Sequence, residues 1–91
     1  MPRVVFYSHF ARFTRGDRET IVEGVDVKDT IDHLVQSYGT EFASRLLDDL
    51  GNPKEFVRIF VNDKDIRLLG NLDAKTAPGD EVLIVPAITG G

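Results

Sequence analysis

Pro78-Gly79-Asp80-Glu81-Val82-Leu83-Ile84-Val85-Pro86-Ala87-Ile88-Thr89-Gly90-Gly91 is the stretch around which the rest of the chain can be read. It opens with a turn. Proline presets φ and glycine accepts positive φ, which are the demands of positions i+1 and i+2 in a type II turn. Four apolar residues in a row then extend a strand from Glu81 to Val85, and a run of this kind suits a strand covered on both faces. Pro86 has no N–H to donate and biases Val85 toward an extended conformation, so sheet pairing is expected to end at about Val85. The six residues Pro86 to Gly91 form an expected flexible tail, reaching about 20 Å at ~3.3–3.6 Å per residue. Glycine carries no Cβ, so the terminal pair makes a thin tip that can thread a narrow channel.

Working back from that strand, the preceding segments read as an α+β plan. Arg3 to Tyr7 is a first strand, and Gly16-Asp17 marks a turn before a second strand near Glu19 to Val22. Asp26 is placed to cap a helix, with Asp29 near the positive end of its dipole. Val27, Ile31, Leu34, Val35 and Tyr38 then fall on one helical stripe, and Gly39 stops it. Thr40 is expected to cap a shorter helix that turns Phe42, Ala43, Leu46, Leu47 and Leu50 inward and ends at Gly51-Asn52-Pro53. Phe56 to Val61 reads as a central strand, Asn62 to Asp65 as a turn, and Ile66 to Leu68 as a short extended piece. Strands at both ends with helices between them describe a single domain over residues 1–91.

Faces follow from the period of two. Arg58 is the one charge in its strand and shares a side with Phe56 and Phe60, so Val57, Ile59 and Val61 are assigned to the core. In the last strand Val82 and Ile84 are expected to pack on the helix. Leu83 and Val85 then point the other way, beside Phe60. Contiguous apolar side chains on an open sheet face are read as a docking surface for a partner, the alternative being a face covered by the chain's own loop or by a homodimer.

Composition narrows the function classes. The chain has 91 residues and no cysteine, which excludes disulfides, thiolate metal sites and a cysteine nucleophile. Any sulfur chemistry must use sulfur from outside. Net charge is −4 and unevenly placed: residues 1–18 carry +3, leaving −7 for the remainder. An acidic body argues against broad nucleic-acid binding, which needs a cationic face. No stretch has the ~20 apolar residues of a membrane span, and the N-terminus has no signal-peptide run, so a cytoplasmic protein without membrane partners is expected.

The tail ends in an α-carboxylate, ionised at neutral pH and a poor acyl electrophile until activated. No glycine loop in the chain precedes a helix in the manner of a phosphate cradle. ATP-dependent activation is therefore expected from a separate enzyme, with this chain carried as its substrate and no catalytic residue of its own. His33 falls on the solvent face of its helix and His9 in a loop, neither with a second ligand at metal spacing. Asp48-Asp49 and the Asp63/Asp65 pair read as a solvated helix end and a turn, and Arg12, Arg15 and Arg18 as loop solubility. No metal site is expected.

These residues resemble a known family, the ubiquitin-like sulfur carriers (MoaD- and ThiS-like), in particular the small subunit of molybdopterin synthase and its archaeal-type relatives. The segments that carry the resemblance are Tyr38-Gly39-x-Glu41-Phe42-x-x-Arg45-Leu46, Val61-Asn62-Asp63 with Ile66-Arg67, Leu72-Asp73, and the quoted run from Pro78 to Gly91. The resemblance implies a β-grasp fold, a mixed sheet wrapped around one main helix. It implies adenylation of Gly91 by an E1-like adenylyltransferase using ATP, with no cofactor bound by the chain. Conversion to a thiocarboxylate follows, with sulfur from a cysteine desulfurase or rhodanese type of donor. Gly90, Thr89 and Ile88 would thread the partner's active site while Phe60, Leu83 and Val85 dock. The expected acceptor is the large subunit of molybdopterin synthase. The Pro86-Ala87 form of the tail and the Val-Asn-Asp hairpin also resemble the actinobacterial carrier for cysteine synthesis. Carriers for thiamine or tRNA thiolation, and a protein modifier joined to lysines by isopeptide bonds, are the alternatives.

Overall fold

The computed structural model describes residues 1–86, apart from the side chains of Ser8, His9 and Pro86. The tail positions Ile88, Thr89, Gly90 and Gly91 lie outside the described residues. Five strands, β1 (Arg3–Phe6), β2 (Glu19–Ile21), β3 (Val57–Val61), β4 (Lys64–Asp65) and β5 (Glu81–Pro86), form one sheet in the order β2-β1-β5-β3-β4. β1 and β5 run parallel and the other neighbours antiparallel, so the sheet is mixed. Two helices, α1 (Val27–Tyr38) and α2 (Thr40–Leu46), pack on one side. This is the β-grasp arrangement.

α1 forms where the sequence pattern places it. Asp26 is extended at φ −151°, and its carboxylate accepts the Asp29 N–H at 2.8 Å, satisfying one donor of the first turn. Val27, Ile31 and Leu34 are buried from the same stripe, with Val35 and Tyr38 half-buried beside them. Gly39, at φ 94°, closes α1 by donating to the Val35 carbonyl at 2.8 Å. It also opens α2, so Thr40 is the first helical residue rather than the cap. α2 then buries Phe42 and Leu46 and stops. Leu50, expected inside, is 85% exposed. The reason is local: the Asp48 carboxylate accepts the N–H groups of Leu50 and Asn52 at 2.9 and 3.0 Å, and that turn takes Leu50 off the helical period.

Other departures have similar causes. Residues Ser8–Phe13, read as loop, form a 3₁₀ helix that buries Phe10 against Phe42. Phe6 meets Tyr38 and Phe42 edge-on, with centroids 5.7 and 5.9 Å apart. Arg15 is tied rather than free, donating to the Ser37 carbonyl at 2.9 Å and lying 5.0 Å over the Tyr38 ring. Ile66–Leu68 is a 3₁₀ turn rather than an extended piece, because the Asp65 carboxylate caps it by accepting the Arg67 N–H at 2.9 Å. Asn62 and Asp63 both take positive φ, 48° and 72°, the demand of a two-residue hairpin turn, which leaves Lys64 and Asp65 to pair as β4.

The centre of the sheet is β5, not β3, which lies second from the edge. That agrees with the apolar run of β5: a strand with neighbours on both sides has no free edge, and its Val82 and Ile84 are fully buried on the core face. Gly79 sits at φ 89° and Asp80 N–H donates to the Ala77 carbonyl at 3.0 Å, the expected type II turn. Pairing runs one residue further than expected, to Pro86 opposite Val57. Asn62 N–H donates to the Glu81 carbonyl at 2.9 Å, so the bonded pairs with β3 involve Glu81, Leu83 and Val85. Pro86 falls between bonds, and its missing N–H costs β3 nothing.

Candidate functional site

The core-facing residues of the sheet, Val4, Phe6, Ile59, Val61, Val82 and Ile84, are buried under the helices. Their neighbours in sequence occupy the opposite face, which no helix among the described residues covers. There the register brings Val5, Leu83 and Phe60 side by side across β1, β5 and β3. Val85 lies one step along, opposite Arg58. All four apolar side chains are half-buried: they shield each other while still meeting solvent. The expected trio Phe60, Leu83 and Val85 is thus brought together on one face.

Charge frames this strip on both sides. On one, Arg3 bridges Glu19 and Glu81, with N···O distances of 3.4 and 2.6 Å. On the other, Arg58 lies 5.6 Å over the Phe60 ring and donates to Asp65 at 3.0 Å. The Asp65 carboxylate also accepts from Arg67 Nη2 at 2.8 Å. The Arg67 guanidinium and N–H together, followed by Arg58, hold the Asp65 carboxyl well below the usual carboxylate range. Arginines fixed in this way frame the apolar strip, Arg58 lying over its Phe60 end.

Sequence reasoning missed Val5, Tyr7 and the Arg3 bridge. The signal was present in β1: if Val4 and Phe6 face the core, Val5 must face outward. What the sequence does not state is the parallel pairing that seats Val5 beside Leu83. A shallow depression of about 380 Å³ lies there, between Tyr7, Arg18 and Leu83. The end of β5 pairs residue 86 with Val57 at one end of the sheet, which sets the point from which the tail positions follow.

His33 donates its Nδ1–H to the Asp29 carbonyl, 2.9 Å away, in the position of a helix-surface residue. Among the described residues no group of three or more His, Asp or Glu side chains is placed to hold a metal ion. No helix among them is long and apolar enough to cross a membrane.

A mixed five-stranded sheet in the order β2-β1-β5-β3-β4, grasping one main helix, defines a ubiquitin-like protein. The chain belongs to the ThiS family, the ubiquitin-like sulfur carriers, whose pattern it matches over residues 4–91. The sulfur carrier protein CysO of Mycobacterium tuberculosis is 36% identical over 80 residues, spanning 86% of this chain and 85% of that one. The crystal structure of that CysO superposes with a TM-score of 0.87 at 31% identity, covering 97% of this chain and 100% of the other. CysO in the BexX/CysO complex of Amycolatopsis orientalis gives a TM-score of 0.90 at 27% identity, with both chains fully covered. SAMP1 from Haloferax volcanii gives 0.78 at 26% identity, covering 98% of this chain and 97% of that one. The relatives are small carriers rather than catalysts, and this chain is a ubiquitin-like sulfur carrier.

Proposed function

We propose that this carrier works through the carboxylate of Gly91, activated by a separate E1-like adenylyltransferase and converted to a thiocarboxylate. The carboxylate attacks the α-phosphate of ATP, forming an acyl-adenylate and releasing pyrophosphate. A reduced sulfur nucleophile then forms a C–S bond as the C–O bond to AMP breaks. AMP leaves, and the terminus holds sulfur that can be passed on. The sulfur originates from a donor of the cysteine desulfurase or rhodanese type, whose persulfide is brought to the sulfide level by a thiol reductant that leaves as a disulfide. ATP belongs to the activating enzyme.

The observation that carries this reading is the extent of the family match, which runs through residue 91 and so includes the diglycine. In this reading Phe60, Leu83 and Val85 dock on the activating enzyme while Ile88, Thr89 and Gly90 pass into its active site. The similarity to CysO favours delivery of sulfur for cysteine synthesis over the molybdopterin acceptor expected from the family resemblance. The likeness to SAMP1, named as a modifier, supports a second reading in which Gly91 is joined to target lysines.

ATP–pyrophosphate exchange with the cognate activating enzyme tests the first step. The native chain should drive exchange, and a chain extended by one residue past Gly91 should not, while melting at the same temperature. Exchange by the extended chain would remove the terminal carboxylate from the mechanism. For the acceptor, a cysteine-synthase-type partner that consumes the sulfur-loaded chain supports the cysteine route. Reductant-stable higher-mass conjugates in cell extract support the modifier.

A further inference from the structure

The outer edge of β3 is only partly covered. β4 is two residues long and pairs with Phe60 and Val61, so Val57–Ile59 have no strand beyond them among the described residues. The bond from Asn62 to Glu81 sets the alternation: Arg58 and Phe60 turn their main-chain groups to β5, while Val57 and Ile59 turn theirs outward. The Val57 N–H is taken by the Lys54 carbonyl at 2.9 Å, which leaves Ile59 as the outward position in mid-edge. A groove of about 610 Å³ runs along this edge.

The charges on that groove are arranged asymmetrically. Asp65 is sunk, its side chain 12% exposed, and accepts from both Arg58 and Arg67. The two guanidiniums stand outside it, with Arg67 65% exposed. Lys54 adds a third exposed cation, with no carboxylate within ion-pair distance among the described residues, and Glu55 is the opposing charge. On a chain of net charge −4, this is a cationic rim beside apolar Leu72 and an open strand edge.

We infer that the β3 edge at Val57–Ile59 is a docking site for an extended peptide segment of a partner protein, added as a strand, whose acidic side chains lie on Lys54, Arg58 and Arg67. Main-chain bonds to a sheet edge supply affinity without sequence preference, and alternate side chains supply the selection. Here the selection is for carboxylates, by charge complementarity. The site lies on the edge of the sheet, meets the open face only at Arg58, and does not depend on the chemistry of Gly91.

Titration of the full ¹⁵N-labelled chain with a capped Val-Glu-Val-Glu-Val peptide tests this, with Val-Lys-Val-Lys-Val as the control. The acidic peptide should shift the amides of Arg58, Ile59 and Arg67 and slow hydrogen exchange at Ile59. The lysine peptide should do neither. Lys54→Ala, which leaves the Asp65 cluster intact, and Lys54→Ala with Arg67→Ala should weaken binding progressively, to about fivefold for the pair. Equal binding of both peptides, unaltered binding by the variants, or shifts centred on Val5 and Leu83 would overturn the assignment. So would two further results. If a chain ending at Pro86 alters Ile59 and Arg67 in the free protein, residues 87–91 are the occupant. If those signals move on dilution, a second copy is.

Discussion

The two faces of the sheet are cut from alternate residues of the same strands and meet different demands. Val82 and Ile84 are sealed under α1 and α2; Leu83 and Val85, between and after them, remain half in solvent on a face that no helix among the described residues covers. Hydrophobicity alone does not distinguish these neighbours, since β5 is apolar throughout its middle. What separates them is the partner each face has inside the molecule. The inner face spends its apolar area on stability. The outer face keeps its apolar area half open to solvent, framed by Arg3 and Arg58, each held by carboxylates.

The contrast can be broken most directly at Ile84. Ile84→Ala removes buried methyl groups from the centre of the sheet and should cost about 2–5 kcal/mol of unfolding free energy, read by denaturant titration. A loss below that range would mean the two faces are not energetically distinct. Phe60→Ala, on the outer face, should cost less stability than Ile84→Ala yet weaken binding to the activating enzyme by more than about 1 kcal/mol. Calorimetry showing unchanged affinity would assign the ring to the fold instead. Asp26→Ala serves as a control away from both faces. It removes the cap of α1 and should cost about 1 kcal/mol of stability with no effect on that binding.

The smallest effect concerns the ionic frame. The folded-state pKa of Asp65 lies below its unfolded value, so its contribution is fully present above about pH 4 and is lost as pH falls toward the folded value. Unfolding curves below pH 4 should therefore lose stability more steeply for the native chain than for Asp65→Asn. Parallel slopes would show that Arg58 and Arg67 hold Asp65 no more tightly than solvent does.

Much of this arrangement is legible in the sequence, because it rests on period and punctuation. Asp26, the stripe from Val27 to Tyr38, and Pro78-Gly79 signal their structures locally, and the Arg58 alternation places Phe60 outside. Other features depend on competition between local bonds that a pattern does not rank. Gly39 serves both helices and displaces Thr40 from its cap; the Asp48 turn takes Leu50 into solvent; the Asp65 cap curls Ile66–Leu68 into a 3₁₀ turn. Val5 was hidden for a different reason. Its place in the strip depends on a parallel pairing between residues nearly 80 positions apart in the chain, Val5 with Leu83, and no local signal encodes that distance.

Intact mass tests the account at its centre. The chain, incubated with ATP, a sulfur donor and its cognate activating enzyme, should gain the mass difference between sulfur and oxygen, and fragmentation should place that gain on Gly91. A gain located anywhere in the folded body, or none while adenylate forms and hydrolyses, would contradict a carrier whose sheet is held by other proteins and whose terminus bears the sulfur.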